Sequence, residues 1–229
     1  MQPRVFFIHT INGLTDTFDR LYAEHVGEGK LTHISDDSLI QRALRAEGLT
    51  PAIYRRLCEH VVGSEEAGAD FIQVTCSSVS PCVDVAAHLV SVPVLKIDRP
   101  VIEQAVRAHR RIGVIATASS TLKPSTALVR STARELGREV EVTSVFCEGA
   151  YDALLAGEME RHDAIVKSHL LELAAGSDAI LLAQASMARV ASSLDEGELD
   201  IPVLSSPGPA MERLARLIRE WRAAGRQER

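Results

Sequence analysis

The chain has 229 residues, 46% of them hydrophobic and 24% charged, with a formal net charge of −6 at pH 7. That is enough apolar material for one sizeable core or for two lobes of about 100 residues each, and the interspersed acids and bases leave no basic stripe for nucleic acid. No run approaches the roughly 18 apolar residues of a membrane span, and the apolar run at residues 5–8 is too short for a secretory core, so a cytoplasmic protein with reduced thiols, no membrane and no nucleic-acid partner is expected.

The first strand-like run is 5–8, followed by a helix near 16–24, a second apolar run at 31–34 and a broad helical region over 37–67. Phe71, Ile72 and Val74 then form a short buried strand that stops at Cys76, a thiol set among the hydroxyls of Thr75, Ser77 and Ser78. Ser80 suits an N-cap and Pro81 the first position of a helix over 81–90. Cys76 is thereby delivered just ahead of a helix N-terminus, where partial positive charge favours a thiolate and a pKa below the roughly 8.5 of a free thiol. The alternative is plain packing, since free cysteine is commonly buried. A strand over 92–97 and a helix over 100–110 follow, and the alternation implies a parallel sheet covered by helices.

At residue 111 the pattern starts again. Arg111-Ile-Gly-Val-Ile-Ala-Thr117 mirrors Arg4-Val-Phe-Phe-Ile-His-Thr10, and Gly176-Ser-Asp-Ala-Ile-Leu-Leu-Ala-Gln184 mirrors Gly68-Ala-Asp-Phe-Ile-Gln-Val-Thr-Cys76. Ile201-Pro-Val-Leu204 mirrors Val92-Pro-Val-Leu95. The matches keep their order at offsets of 107 to 109 residues, so the chain reads as an internal duplication. The expected fold is α/β, with two pseudo-symmetric lobes, each a four-stranded parallel sheet flanked by helices. The N-terminal lobe covers 1–110, with a C-terminal helix over 208–224 packed on it, and the C-terminal lobe covers 111–207. Parallel sheets bind ligands beyond the carboxyl ends of their strands, so the active site is expected in the cleft between lobes, with Cys76 opposed by Gln184.

On these residues the chain resembles the aspartate/glutamate/hydantoin racemase superfamily over nearly its whole length. Val74-Thr-Cys76-Ser-Ser is similar to the family's first cysteine motif, and Ile112-Gly-Val-Ile-Ala-Thr117, with Ser119 to Thr121 behind it, to the second-lobe anion-binding turn. Gly149-Ala-Tyr-Asp-Ala-Leu-Leu-Ala-Gly157 and His162-Asp163 resemble the segment leading to the second motif. The resemblance implies two lobes, a catalytic cysteine after the equivalent strand of each, no cofactor, a homo-oligomer, and a small carboxylate substrate such as an amino acid, hydantoin or dicarboxylate. One departure stands out. Where the family's second cysteine would lie, this chain has Leu182-Ala-Gln184-Ala-Ser-Met-Ala188. Glutamine exchanges no proton near neutral pH, although it donates and accepts hydrogen bonds.

Removing a proton beside a carboxylate needs a base on one face and donors that hold the enediolate-like charge. Cys76 is the expected base, with Gln184 in place of the second thiol. Thr75, Ser77, Ser78, Thr117, Ser119, Ser120 and Thr121, with Ala185 and Ser186 after Gln184, supply short donors and backbone N–H groups suited to a carboxylate without an arginine. Asn12, in the loop after the first strand, is a further contact. Each of these residues serves equally as a turn or cap former. With a base on one face, isomerisation or proton exchange, decarboxylation of the arylmalonate type and thiolate addition to a double bond as in maleate isomerases all stay open, as does a non-catalytic module that binds a small anion.

No metal is expected. The four cysteines show no C-x-x-C spacing, Glu158 and His162 share a helix face without further ligands, and Gly27-Glu-Gly-Lys30-Leu-Thr32 lacks the spacing of a phosphate loop. Cys147 and Glu148 end an apolar segment over 142–146 within reach of the cleft, although packing and solvation are their ordinary roles.

Overall fold

The fold is that of a computed structural model, which describes all residues except Met1, Glu28, residues 195–197, 228 and 229, and only the backbone of residues 226 and 227. The apolar runs of the first half form β1 (Arg4–His9), β2 (Lys30–Ser35), β3 (Phe71–Val74) and β4 (Val94–Lys96), a fully parallel sheet in the order β2-β1-β3-β4. The second half repeats it with β5 (Arg111–Ala116), β6 (Glu141–Phe146), β7 (Ala179–Leu182) and β8 (Val203–Ser205), in the order β6-β5-β7-β8. The near-continuous apolar strands β1, β3, β5 and β7 are buried and central, as strands covered on both faces must be, while the mixed strand β6 lies at an edge with its side chains largely exposed.

Helices cover these sheets. The first half carries α1 (Thr15–His25), α2 (Ser38–Arg45), α3 (Pro51–Glu66) and α4 (Ser80–Ala86). The broad helical region of the sequence is thus two helices. Glu47 enters the left-handed region at φ 51° and Pro51 opens the next helix, where a missing N–H is harmless. The remainder are α5 (Arg99–Ala108), α6 (Ser119–Glu135), α7 (Ala150–Leu155), α8 (Met159–Ala174), α9 (Ala188–Ser192) and α10 (Pro207–Gln227).

By packing, the chain forms two compact units, residues 1–97 with 207–229, and residues 98–206. The sequence put the division after residue 110, but α5 goes with the second unit, because Val101, Ile102, Ala105 and Val106 pack on Ile112, Val114 and Leu181. In the first unit one sheet face packs Phe6, Ile8, Ile72 and Val74 on Leu39, Ile53, Leu57 and Val61. On the other, Phe7 meets Phe18 and Tyr22 edge-on, and Trp221 of α10 meets Phe71 at 6.1 Å.

The duplication extends to the entry of each central strand. Asp70 accepts the Arg4 N–H at 2.7 Å, and Asp178 accepts the Arg111 N–H at 2.8 Å while pairing with its guanidinium. It breaks at Gly113, where a Cβ would stand 2.8 Å from Leu173 Cδ2 and 2.9 Å from Ser177 Oγ. The matching position of β1 is Phe6, so α8 owes its close approach to β5 to the missing side chain. No helix among the described residues is long and apolar enough to cross a membrane.

Candidate active site

In the first unit the parallel ladder sets Ile8 beside Val74, and the Thr75 N–H continues it with a 3.0 Å bond to the Ile8 carbonyl. Cys76 follows in extended conformation, and the chain turns at once into a short 3-10 helix, Ser77–Val79, that runs into α4. Ser80 is therefore the first residue of α4 and not its cap, and Pro81 is the second. The helical segment reaches back to the thiol itself. The Ser78 and Val79 N–H groups and the Ser78 hydroxyl lie close enough to the sulfur to favour its charged form. Thr10 Oγ1 is buried and makes no hydrogen bond of ordinary geometry among the described residues, but lies close enough to the sulfur to favour its charged form.

These donors do not prevail. Burial pushes the Cys76 thiol above its ordinary pKa, and Thr10, Ser78 and Val79 only pull part of the way back. The lowered pKa expected from the helix end is thus corrected. The helical segment is short, and although Cys76 keeps an intermediate exposure, the protein packed around its thiol desolvates it by more than the dipole and donors offset. The result is a thiol protonated at rest, with donors already in place for its thiolate.

Thr75 has a different role. Its hydroxyl lies 2.8 Å from His9 Nδ1 and 3.2 Å from the Ile8 carbonyl oxygen, and His9 Nε2 lies 2.8 Å from His33 Nδ1, whose Nε2 is 3.0 Å from Asp19. His9 is fully buried, and burial, reinforced by His33 and partly offset by Asp19, lowers its pKa to about 4. A neutral His9 thus links the strand end at Thr75 to a carboxylate at the surface. Asn12 does not join the thiol's donors, since its amide reaches Asp37 Oδ2 at 3.5 Å. Ser77 Oγ is buried and without a partner among the described residues.

The second unit builds the same backbone and fills it differently. Ile115 pairs with Leu182, Ala183 N–H bonds the Ile115 carbonyl at 2.9 Å, and Gln184 is extended at the head of a 3-10 turn, Ala185–Met187, that leads into α9. Gln184 thus stands where Cys76 stands in the first unit, at φ −132° against −127°. Its Oε1 accepts the Thr117 N–H at 2.6 Å, the Thr117 hydroxyl at 3.1 Å and the Ala118 N–H at 3.1 Å. Ser119 is exposed at the start of α6, Ser120 and Thr121 are buried in its first turn, and the Ser186 hydroxyl is buried without a partner among the described residues. Cys147 is a core residue whose thiol burial pushes up to about 12, and Glu148 is exposed.

Of the residues that matter here, Thr10 carries a sequence signal only as the partner of Thr117 in the repeat. His9 and His33 had no signal, since two histidines 24 apart are joined only by strand register. None of the four cysteines forms a disulfide, and no group of three or more His, Cys, Asp or Glu among the described residues is arranged to hold a metal.

A family model described as Asp/Glu/Hydantoin racemase matches residues 12–214. Among solved structures, glutamate racemase isoform RacE1 from Bacillus anthracis superposes with a TM-score of 0.75 at 17% identity, over 95% of this chain and 82% of that one. Allantoin racemase from Klebsiella pneumoniae gives 0.66 at 17%, over 95% and 88%, and an aspartate racemase from Picrophilus torridus 0.67 at 14%, over 94% of each chain. At such identities the structural likeness establishes the fold. No curated protein sequence matches the chain.

Proposed function

The chain belongs to the Asp/Glu/hydantoin racemase family, and from that premise we propose that it is a cofactor-independent enzyme of racemase or isomerase type that moves a proton at the carbon beside a small carboxylate, with Cys76 as its thiol. The observation that carries this reading is the position of Cys76, in extended conformation after the end of β3 and directly ahead of the turn Ser77–Val79 that runs into α4, with Thr10, Ser78 and Val79 near enough to favour its charged form. In the forward step the Cys76 S–H first yields its proton to solvent, the thiolate takes the proton from carbon, the electron pair moves into the carboxylate as an enediolate, and the neighbouring N–H and hydroxyl donors hold that charge. Return of a proton from sulfur gives exchange with retention, and delivery of a proton from water on the opposite face inverts the carbon, since Gln184 has none to give. Gln184 takes no part in proton transfer. The same reading, on the family resemblance, makes the protein a cytoplasmic homo-oligomer.

A second reading follows from the direction in which burial pushes the Cys76 thiol, towards its protonated form. A sulfur that is protonated at rest suits decarboxylation, in which the carbon–carboxylate bond breaks, carbon dioxide leaves, and the Cys76 S–H delivers its proton to the enediolate that remains. Incubation in deuterium oxide with amino acids, hydroxy acids, hydantoins and malonates, followed by proton NMR, separates the two. Exchange at the carbon without loss of mass is the expected result, release of carbon dioxide marks the second reading, and a ligand that raises the melting temperature without either marks a binding module. Cys76→Ser should lower turnover by about 10²–10⁴-fold; an unchanged rate would remove Cys76 from both mechanisms.

A further inference from the structure

Three donors converge on one oxygen at the end of β5. Thr117 N–H, Ala118 N–H and the Thr117 hydroxyl all point at Gln184 Oε1, at 2.6, 3.1 and 3.1 Å. Two of them are backbone amides at the head of α6, a helix of 17 residues whose dipole places partial positive charge there. An amide oxygen carries only part of a charge, whereas this arrangement of successive N–H groups is of the kind that receives an anion. Gln184 is 9% exposed, so its oxygen is held in the nest with little access to water. The corresponding amides of the first unit, Thr10 and Ile11, receive no side-chain oxygen from the described residues. The reason is reach. Glutamine extends far enough to cross from the end of β7 to the end of β5, whereas the sulfur of Cys76, two bonds shorter, engages the amides of its own turn.

We propose that Gln184 is the specificity-determining residue of the second unit: its carboxamide oxygen is a built-in occupant of the nest at Thr117 and Ala118, closing it to a substrate carboxylate and leaving the amide's N–H pair as what this unit offers a ligand. This rests on the reading that the ligand is a small carboxylate. It narrows the substrate class, because the three converging donors are already taken and the amide's N–H pair, which makes no hydrogen bond among the described residues, is what stays open to an acceptor on the ligand. Substrates with one carboxylate are therefore favoured over dicarboxylates, whose second charge finds this nest filled.

The test uses the intact chain and backbone-resolved NMR with acetate as the probe. In the natural protein a scalar coupling across the hydrogen bond from Thr117 N to the Gln184 side-chain carbonyl carbon should be detectable, and the Thr117 and Ala118 amides should not move as acetate is added. In Gln184→Gly the same amides should shift saturably, with apparent acetate affinity at least about tenfold above the natural chain, the scale of one hydrogen bond to a charged group. Gln184→Glu, which keeps an oxygen in the nest, should stay unresponsive. Saturable shifts in the natural protein, or a folded Gln184→Gly that shows none, would overturn the proposal. If Gln184→Gly does not fold, the coupling in the natural chain decides, and its absence sinks the idea. None of these readouts involves turnover, so a failure of Cys76→Ser to abolish activity would leave them untouched.

Discussion

Burial raises the cost of charging the Cys76 sulfur, and the donors from Thr10, Ser78 and Val79 lower it by less. The balance is measurable as the pH dependence of alkylation. The apparent midpoint for Cys76 should lie above the roughly 8.5 of a free thiol, and Thr10→Val or Ser78→Ala should raise it by about a further unit, since a hydrogen bond to a charged group is worth roughly 1.5 kcal/mol or more. Cys82 and Cys147, which burial holds at about 12, should stay unlabelled over the same range. A midpoint for Cys76 below the free-thiol value would show that the helix end dominates after all. The position of this residue was legible in the sequence because an apolar run ended on it and the repeat aligned it with Gln184. Its electrostatics were not, since burial of one sulfur depends on packing from elements distant in sequence. The linkage of His9, His33 and Asp19 was hidden for a related reason: side chains from two strands and a helix meet through a parallel register that leaves no fixed spacing in the chain.

Strands were easier to read than the segments that turn away from them. Central strands of a parallel sheet carry apolar runs bounded by polar residues, so β1, β3, β5 and β7 could be placed from composition alone. The turn after β3 could not, because Ser77-Ser-Val-Ser80 has neither a helical nor an alternating pattern, and the early entry into helix appears only once the backbone is seen. Gly113 is the element-scale counterpart. In sequence it is a weak residue in a strand, but in the structure it admits Leu173 of α8 against β5. Gly113→Ala should lower the stability of the second unit by about 1–3 kcal/mol, the usual cost of overpacking, while Gly48→Ala, with open space around its Cα, should change it by no more than about 0.5 kcal/mol. Urea midpoints for the two variants make the comparison, and equal small effects would mean that Leu173 simply turns aside.

At the scale of the whole molecule the duplication repeats the backbone and diversifies the titratable groups. In the first unit, burial holds His9 down to about 4, helped by His33, and Asp36 lies well below the usual carboxylate range because bonds from Ser38, His60 and Arg56 outweigh the burial that would raise it. In the second, the Arg111 N–H and guanidinium bring Asp178 down to about 2. A depressed pKa means that the unfolded chain binds more protons than the native one between the two values, so stability is full above the unfolded pKa and is lost as pH falls through the folded one. For His9 that window runs from about 6.5 to 4, and its shift corresponds to an upper bound on the order of 3 kcal/mol. For Asp36 and Asp178 it opens only below about 4. Between pH 6.5 and 4, acid therefore weakens the first unit before the second. Hydrogen exchange read by mass spectrometry should show protection in β1 and β3 declining from pH 7 to pH 4.5 while that in β5 and β7 holds, after correction for the intrinsic pH dependence of exchange. His9→Gln should flatten the decline in the first unit. Equal loss of protection in both sets of strands would instead mean that the two units unfold as one cooperative body, with the destabilisation at His9 spread over the entire chain.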